Sequence, residues 1–299
     1  MNHSVFAYPG NKSSLADWVC DHLTEHRCYV EVFGGAAGVL ANKPESYNEV
    51  YNDIDEDLVQ FFDVLRERDA ELKEWLQRLP YAREKYDAWA DRWYSEGWRP
   101  DDAIKRAGVF FFLRSTSFGG TYQYPGGFAI SSSRNQARTY AGQVDRLEEF
   151  AQRFRNVVVE NRDCQDVIES YDSDTTLFYL DPPYYDTRCR YRHGHEFDHD
   201  ALASTLANID GDWLASYGDL PPSLEGVAET VVERTVRYNM GSGYNGEVDP
   251  SPETLAMSYD PKAAPSFVDE EITQTTLVQP DGGCNDRDLR QRSREEGSQ

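Results

Sequence analysis

Short apolar runs alternate along this chain with longer stretches in which apolar residues recur every three or four positions. That is the pattern of strands interleaved with amphipathic helices. Residues 29–33 (YVEVF) read as a strand running into a small-residue turn at 34–38, and 49–51, 157–160 and 177–180 read as three more strands. Residues 213–217, 230–238, 255–259 and 275–278 supply the remaining strand candidates. A serine-capped helix is predicted at 13–23. The strongest helical signal covers 57–79, with Leu58, Phe61, Phe62, Leu65, Leu72, Trp75 and Leu76 at helical spacing. Further helices are predicted at 81–94, 101–113 and 135–154. The pattern is therefore an α/β framework, 1–56 and 156–279, interrupted by a mostly helical insertion at 57–155. Insertions of this kind in α/β frameworks commonly carry specificity. The polar, aperiodic end, 280–299, reads as disordered. No internal repeat is visible.

Composition changes this picture in two ways. With 299 residues, 39% of them hydrophobic and 13% aromatic, the chain can bury a substantial core. Its formal charge is −23, from 53 acidic against 30 basic residues, and only six of the basic residues are lysine. Such whole-chain acidity with little lysine suits a protein kept hydrated in concentrated salt, and so predicts a halophilic source. The acidity also argues against a general polyanion binder at low salt. In molar salt that objection fades, because the Debye length falls to about 3 Å. No apolar run approaches the ~20 residues of a membrane span. The first residues (MNHSVFAYPG) lack a signal-peptide pattern, and the five cysteines are scattered. A cytoplasmic monomer without a disulfide framework is expected.

The sharpest local chemistry is Asp181-Pro182-Pro183-Tyr184, which directly follows the apolar run Leu177-Phe178-Tyr179-Leu180. Ligands of open α/β sheets bind beyond the carboxyl ends of the strands. Two prolines fix φ and carry no N–H, so the turn offers a carboxylate, rigidly aimed carbonyls and an aromatic face. Those groups suit a planar substrate with an exocyclic amine; an ordinary Asx-Pro-Pro turn is the plainer reading. Tyr8-Pro9-Gly10-Asn11-Lys12 sets a lysine before the first helix. Glu31-Val32-Phe33-Gly34-Gly35-Ala36-Ala37-Gly38 is a strand-to-turn segment that allows close approach to backbone. Asp53, after the second strand, stands where nucleotide-binding folds place an acid against ribose hydroxyls. Asn161-Arg162-Asp163 ends the third strand.

In that order, Y-P-G-N-K, E-V-F-G-G-A-A, N-D-I-D and D-P-P-Y resemble the Dam-type (D12 class) DNA adenine-N6 methyltransferases, as does FFFLRSTSFGG at 110–120. The resemblance runs from residue 5 to about 260. It implies a Rossmann-like, S-adenosylmethionine-dependent methyltransferase sheet with a helical target-recognition insertion, acting on double-stranded DNA, with restriction-modification as one setting. Residue by residue it implies Tyr8 and Lys12 at the amino-acid end of the cofactor, and Phe33 and Gly35 along its methionine moiety. Asp53 would hold the ribose and Asp163 the cofactor adenine. Asp181, Pro182, Pro183 and Tyr184 would hold the target base, with Asp181 also reaching the cofactor. Two departures stand out: Ala37 replaces the second glycine of the F-x-G-x-G turn, and Cys164 stands where a phenylalanine usually follows Asp163.

The amine lone pair of adenine is delocalised into the ring, so acceptors at Asp181 and the Pro182 carbonyl would favour a pyramidal, more nucleophilic nitrogen. A base inside a duplex cannot reach such a turn and would have to flip out, with Tyr184 replacing the lost stacking. DNA contacts are expected from Arg114, Arg134 and Arg138 in the insertion and from Arg188, Arg190 and Arg192 after the catalytic turn, since arginine reads guanine edges and phosphates. Solvated surface arginines are the plainer alternative. Transfer to cytosine N4, RNA or protein glutamine remains open, as does a non-catalytic DNA-binding protein; Asp181 in place of serine favours adenine. The Cys20/His22/His26/Cys28 and Cys189/His193/His195/His199 clusters lack zinc-finger spacing, so no metal is expected.

Overall fold

In a computed structural model of the chain, the residues described are 4–6, 8, 10, 12–118, 126–184, 197–236 and 251–263. The strands are β1 (Cys28–Glu31), β2 (Asn48–Asn52), β3 (Ser117–Phe118), β4 (Gly127–Phe128), β5 (Val157–Glu160), β6 (Thr176–Leu180), β7 (Asp212–Tyr217), β8 (Thr230–Val236) and β9 (Ser251–Met257). The helices are α1 (Ala16–Cys20), α2 (Glu56–Gln77), α3 (Arg83–Ala90), α4 (Ala103–Thr116), α5 (Gln136–Asp145), α6 (Leu147–Phe154), α7 (Cys164–Tyr171), α8 (His199–Leu206) and α9 (Pro222–Glu225).

Seven strands form one sheet in the order β5-β2-β1-β6-β7-β9-β8. β5, β2, β1, β6 and β7 are parallel, while β9 is antiparallel to β7 and to β8. The chain starts at β1, moves outward to β2 and β5, then returns to the other side of β1 at β6. The strand order reverses there, and such a switch point opens a crevice beyond the carboxyl ends of the two strands.

Both faces of the sheet are covered, which is why β6 is buried at all five positions and reads as an unbroken apolar run. Tyr29, Tyr51, Leu177, Tyr179 and Leu214 face one core, and Val30, Val50, Phe178, Trp213 and Ala215 face the other. Period-two alternation produces this division. α7, α8 and α9 cover the second face. α2, α4, α5 and α6 contribute to the first core, so much of the insertion packs as scaffold against the sheet. Phe62 of α2 stacks on Phe154 with centroids 4.6 Å apart and lies 4.6 Å from Tyr51 of β2.

Short polar caps start the helices. Asp55, Asp102, Asn135, Asp163 and Asp198 each accept a backbone N–H at the N-cap of α2, α4, α5, α7 and α8. Two expected helices differ. Segment 13–23 divides into a 3-10 turn, Lys12–Ser14, and the short α1, whose N-cap Leu15 makes no side-chain cap bond, so the serine cap is absent. Segment 135–154 is two helices breaking at Arg146, which lets Tyr140 and Val144 on one side and Leu147, Phe150 and Phe154 on the other all reach the core. α3 continues as a π-helical turn, Asp91–Ser95. The last strand among the described residues lies at Ser251–Met257, earlier than the periodicity predicts. The proposed strand at 275–278 and the tail at 280–299 fall outside the described residues. Among the described residues no helix is long and apolar enough to cross a membrane, and Cys20, Cys28 and Cys164 are free thiols.

Candidate active site

The switch point gathers residues far apart in sequence. Asp181 leaves the end of β6, and Lys12 Nζ sits 3.0 Å from its Oδ1 and 3.1 Å from its Oδ2. Lys12 is only 5% exposed, a burial that this carboxylate offsets. It also donates to the Gly10 carbonyl at 3.1 Å and lies 4.8 Å from the Tyr184 ring centroid. From β7, Ser216 Oγ donates to Asp181 Oδ1 at 3.0 Å and is itself 3.1 Å from the Tyr179 hydroxyl. Asp181 is therefore held on two sides at one orientation. Pro182 is buried, and Pro183 and Tyr184 are part-buried. Burial, with Asp181 and Glu253 nearby, pushes the Tyr184 phenol far up, so it remains a donor.

The turn after β1 forms the adjoining wall. Gly34 N–H donates to the Asn52 carbonyl at 2.7 Å, and a Cβ on Gly34 would fall 2.1 Å from the buried Tyr51 ring. Tyr51 cannot yield easily, because its hydroxyl donates to the Gly35 carbonyl at 2.7 Å. Gly35 has φ +50°, and a Cβ there would lie 3.1 Å from Tyr8. Ala37 also adopts positive φ, +54°, a conformation that glycine reaches with less strain. Asp53 clamps this turn from β2, accepting Gly35 N–H at 2.8 Å through Oδ2 and Asp55 N–H at 2.8 Å through Oδ1. Although part of Asp53 is exposed, burial among protein atoms pushes its carboxyl up to about 7, against the pull of those N–H donors. Beneath the turn, burial likewise pushes Glu31 up to about 8.

Asp53 carries a testable pH signature. Its folded pKa exceeds the usual carboxylate value, so the folded state holds the extra proton between roughly pH 4 and 7. The Asp53 contribution to stability falls as pH rises through that window and is flat above it. Denaturation of wild type and Asp53→Asn should show a stability difference that declines from pH 5 to pH 7 and then levels. A difference independent of pH would contradict the assignment.

The other expected site residues divide. Tyr8 lies against Gly35. Phe33 points instead to the second core, edge-on to Phe197 with centroids 5.5 Å apart. Asp163 is exposed and caps α7 through Oδ1, 2.9 Å from Gln165 N. Cys164 behind it is part-buried, and burial pushes its thiol up to about 12. Arg114, placed by sequence among the DNA contacts, is 7% exposed and lies 5.4 Å from the centroids of both Tyr8 and Phe110. That position suits bracing Tyr8 better than gripping a phosphate. Arg134 and Arg138 are exposed, and Arg134 lines an open groove of 490 Å³ with Tyr81, Ile130, Ser131 and Asn135. Arg188, Arg190 and Arg192 lie outside the described residues. Among the described residues no cluster could hold a metal ion. His26 bonds the Thr24 carbonyl and Ser46, and His199 meets the Tyr217 hydroxyl.

Sequence reading missed Ser216, Tyr217 and Glu253. Each is a strand residue with no motif around it, so no local signal singles it out.

This arrangement suits a cofactor with an α-carboxylate, a ribose and a reactive group in between: an ammonium at Lys12, a side-chain-free turn at Gly34 and Gly35, and a carboxylate at Asp53. Residues 8–225 match the D12 class N6 adenine-specific DNA methyltransferases. The Type II methyltransferase M.CviBI of Paramecium bursaria Chlorella virus NC1A is 24% identical over 230 residues, covering 73% of this chain and 85% of that protein. The DNA adenine methylase of Escherichia coli K12 is 25% identical over 185 residues, covering 61% of this chain and 65% of that enzyme. The Vibrio cholerae O395 DNA adenine methylase is 28% identical over 184 residues, 59% and 63% of the two chains. The chain thus spans less than two thirds of the two bacterial methylases. With the family match covering most of its length, and the D-P-P-Y turn standing at the sheet's switch point, the chain belongs to the D12 class of N6 adenine-specific DNA methyltransferases.

Proposed function

We propose that this protein transfers a methyl group from S-adenosylmethionine to N6 of an adenine turned out of double-stranded DNA. The observation that carries the reading is the Asp181 carboxylate, fixed by Lys12 and Ser216 beside Tyr184 at the switch point. When bound, the cofactor supplies an electrophilic methyl on a sulfonium. The chain's own residues do the rest. Tyr8, Lys12, Gly35 and Asp53 hold the cofactor's amino-acid and ribose ends, and Asp163 stands at the adenine end. Asp181 and the Pro182 carbonyl accept the two N6–H bonds, steering the nitrogen lone pair toward the methyl. Positioning of this kind is a major source of rate. Asp181 need not remove the proton before transfer, since methylation itself makes the nitrogen acidic. Tyr184 offers its ring to the extruded base.

The insertion at 57–155 is the part that meets DNA. Arg134 and Arg138 are exposed there, and so are Ile130 at 73% and Phe118 at 60%, the latter on the β3–β4 hairpin. Cations interleaved with exposed apolar groups suit phosphates and base faces together. With a chain charge of −23, phosphate attraction is weak, and base contacts carry more of the binding in concentrated salt. The protein is read as a cytoplasmic monomer adapted to such salt.

Labelled methyl transfer to unmethylated DNA, in dilute buffer and in molar salt, tests the reading. Nucleoside analysis should yield N6-methyladenine. N4-methylcytosine, or no labelled DNA under either condition, would reject it.

A further inference from the structure

We propose that Glu253 is a positioning residue that tethers Tyr184 in the orientation needed to receive the target base. The inference rests on the functional reading above and concerns a residue on β9, which the family match at 8–225 does not reach. Glu253 is 3% exposed, and its Oε2 accepts the Tyr184 hydroxyl at 2.9 Å. Along β9 it continues the row of Leu255 and Met257, both fully buried, because alternate residues of a strand share a face. An apolar residue would be the cheaper occupant of that row, since burying a carboxylate is costly unless it is hydrogen-bonded. Tyr184 provides that bond, and bonds to a charged acceptor are the stronger kind.

The surroundings bound the faces of the ring, and the tether holds its phenol end. Tyr217 lies nearly parallel to Tyr184, with centroids 5.9 Å apart and planes at 27°. Gly218 forms a floor so close that a Cβ there would stand 3.2 Å from the ring, and Thr254, next to Glu253, donates to the Gly218 carbonyl at 3.4 Å. Stacking and floor limit how far the ring moves along its normal. The bond at the phenol oxygen opposes swinging about the Cα–Cβ bond. A swung ring would carry a stacked adenine away from Asp181.

The test uses the full chain and a duplex bearing its mapped recognition site, with the target adenine replaced by 2-aminopurine to report base extrusion. Glu253→Ala and Tyr184→Phe should each weaken base capture, read as the emission change on this duplex and as KM for DNA on the same duplex with adenine restored, by about tenfold or more. Glu253→Gln, whose amide oxygen still accepts the phenol, should keep most of it. S-adenosylmethionine affinity should stay within about twofold of wild type in all three, the loss falling on base capture alone. The double variant Tyr184→Phe/Glu253→Ala should be no worse than Tyr184→Phe. An active wild type matched by Tyr184→Phe, or losses that simply add in the double variant, would overturn the tether. If Glu253→Ala does not fold, Tyr184→Phe and Glu253→Gln decide alone. A wild type that transfers no methyl to DNA would overturn the functional reading, and the tether with it.

Discussion

Asp181→Asn should lower methyl transfer by about a thousandfold while leaving S-adenosylmethionine binding largely intact. The amide still presents one oxygen, but its NH₂ would face the adenine amine, donor against donor, and the negative field that supports charge growing on N6 is gone. Asp181→Ala should be as inactive, and both variants should be less stable than wild type. Lys12 would lose the carboxylate lying 3.0 Å away while remaining 5% exposed. Leaving one member of a buried pair without its partner costs several kcal/mol, of order 3–5. Single-turnover transfer rates, cofactor titration and denaturation measure the three quantities. An Asp181→Asn enzyme with wild-type turnover would remove the carboxylate from the mechanism.

Asp57→Ala should destabilise the fold by about 3–5 kcal/mol, more than any exposed pair in the chain. Asp57 is 1% exposed and accepts Arg99 Nε at 2.7 Å and Arg106 Nη2 at 2.8 Å. Arg99 also donates to the carbonyls of Trp93 and Trp98 and lies over the Trp93 ring at 3.8 Å. One carboxylate in the first turn of α2 thus fastens the segment between α3 and α4 onto the helix that packs against the sheet. Its place near a helix N-terminus adds to its stability. Because the pair is buried, molar salt should screen it little, whereas the exposed Arg68–Glu71 pair should contribute almost nothing there. Urea denaturation of Asp57→Ala in dilute and in molar salt checks both statements. A loss under about 1 kcal/mol, or one that salt abolishes, would contradict them.

The features legible in the sequence were those whose cause is local. Strands β1 and β6 showed as apolar runs because both faces of the sheet are covered. α2 showed because its apolar stripe spans 22 residues. The D-P-P-Y turn and the small-residue turn showed because prolines and glycines impose their geometry wherever they stand. α7 and α8 escaped notice because each has only eight residues, too few for periodicity to stand out from loop. Arg114 was placed at the surface because arginine ordinarily lies there, and only folding buries it beside Tyr8, 106 positions away.

By itself, the sequence determined the alternation of strands and helices and the identity of the acidic and aromatic groups at the strand ends. Folding decided which of those groups meet. Lys12 and Asp181 stand 169 positions apart, Ser216 and Asp181 35, Tyr184 and Glu253 69. They come together because the sheet reverses its order between β1 and β6 and because β9 inserts beside β7. Those pairings are set by burial on both faces of the whole sheet, a property of the assembled core that no short window of residues contains.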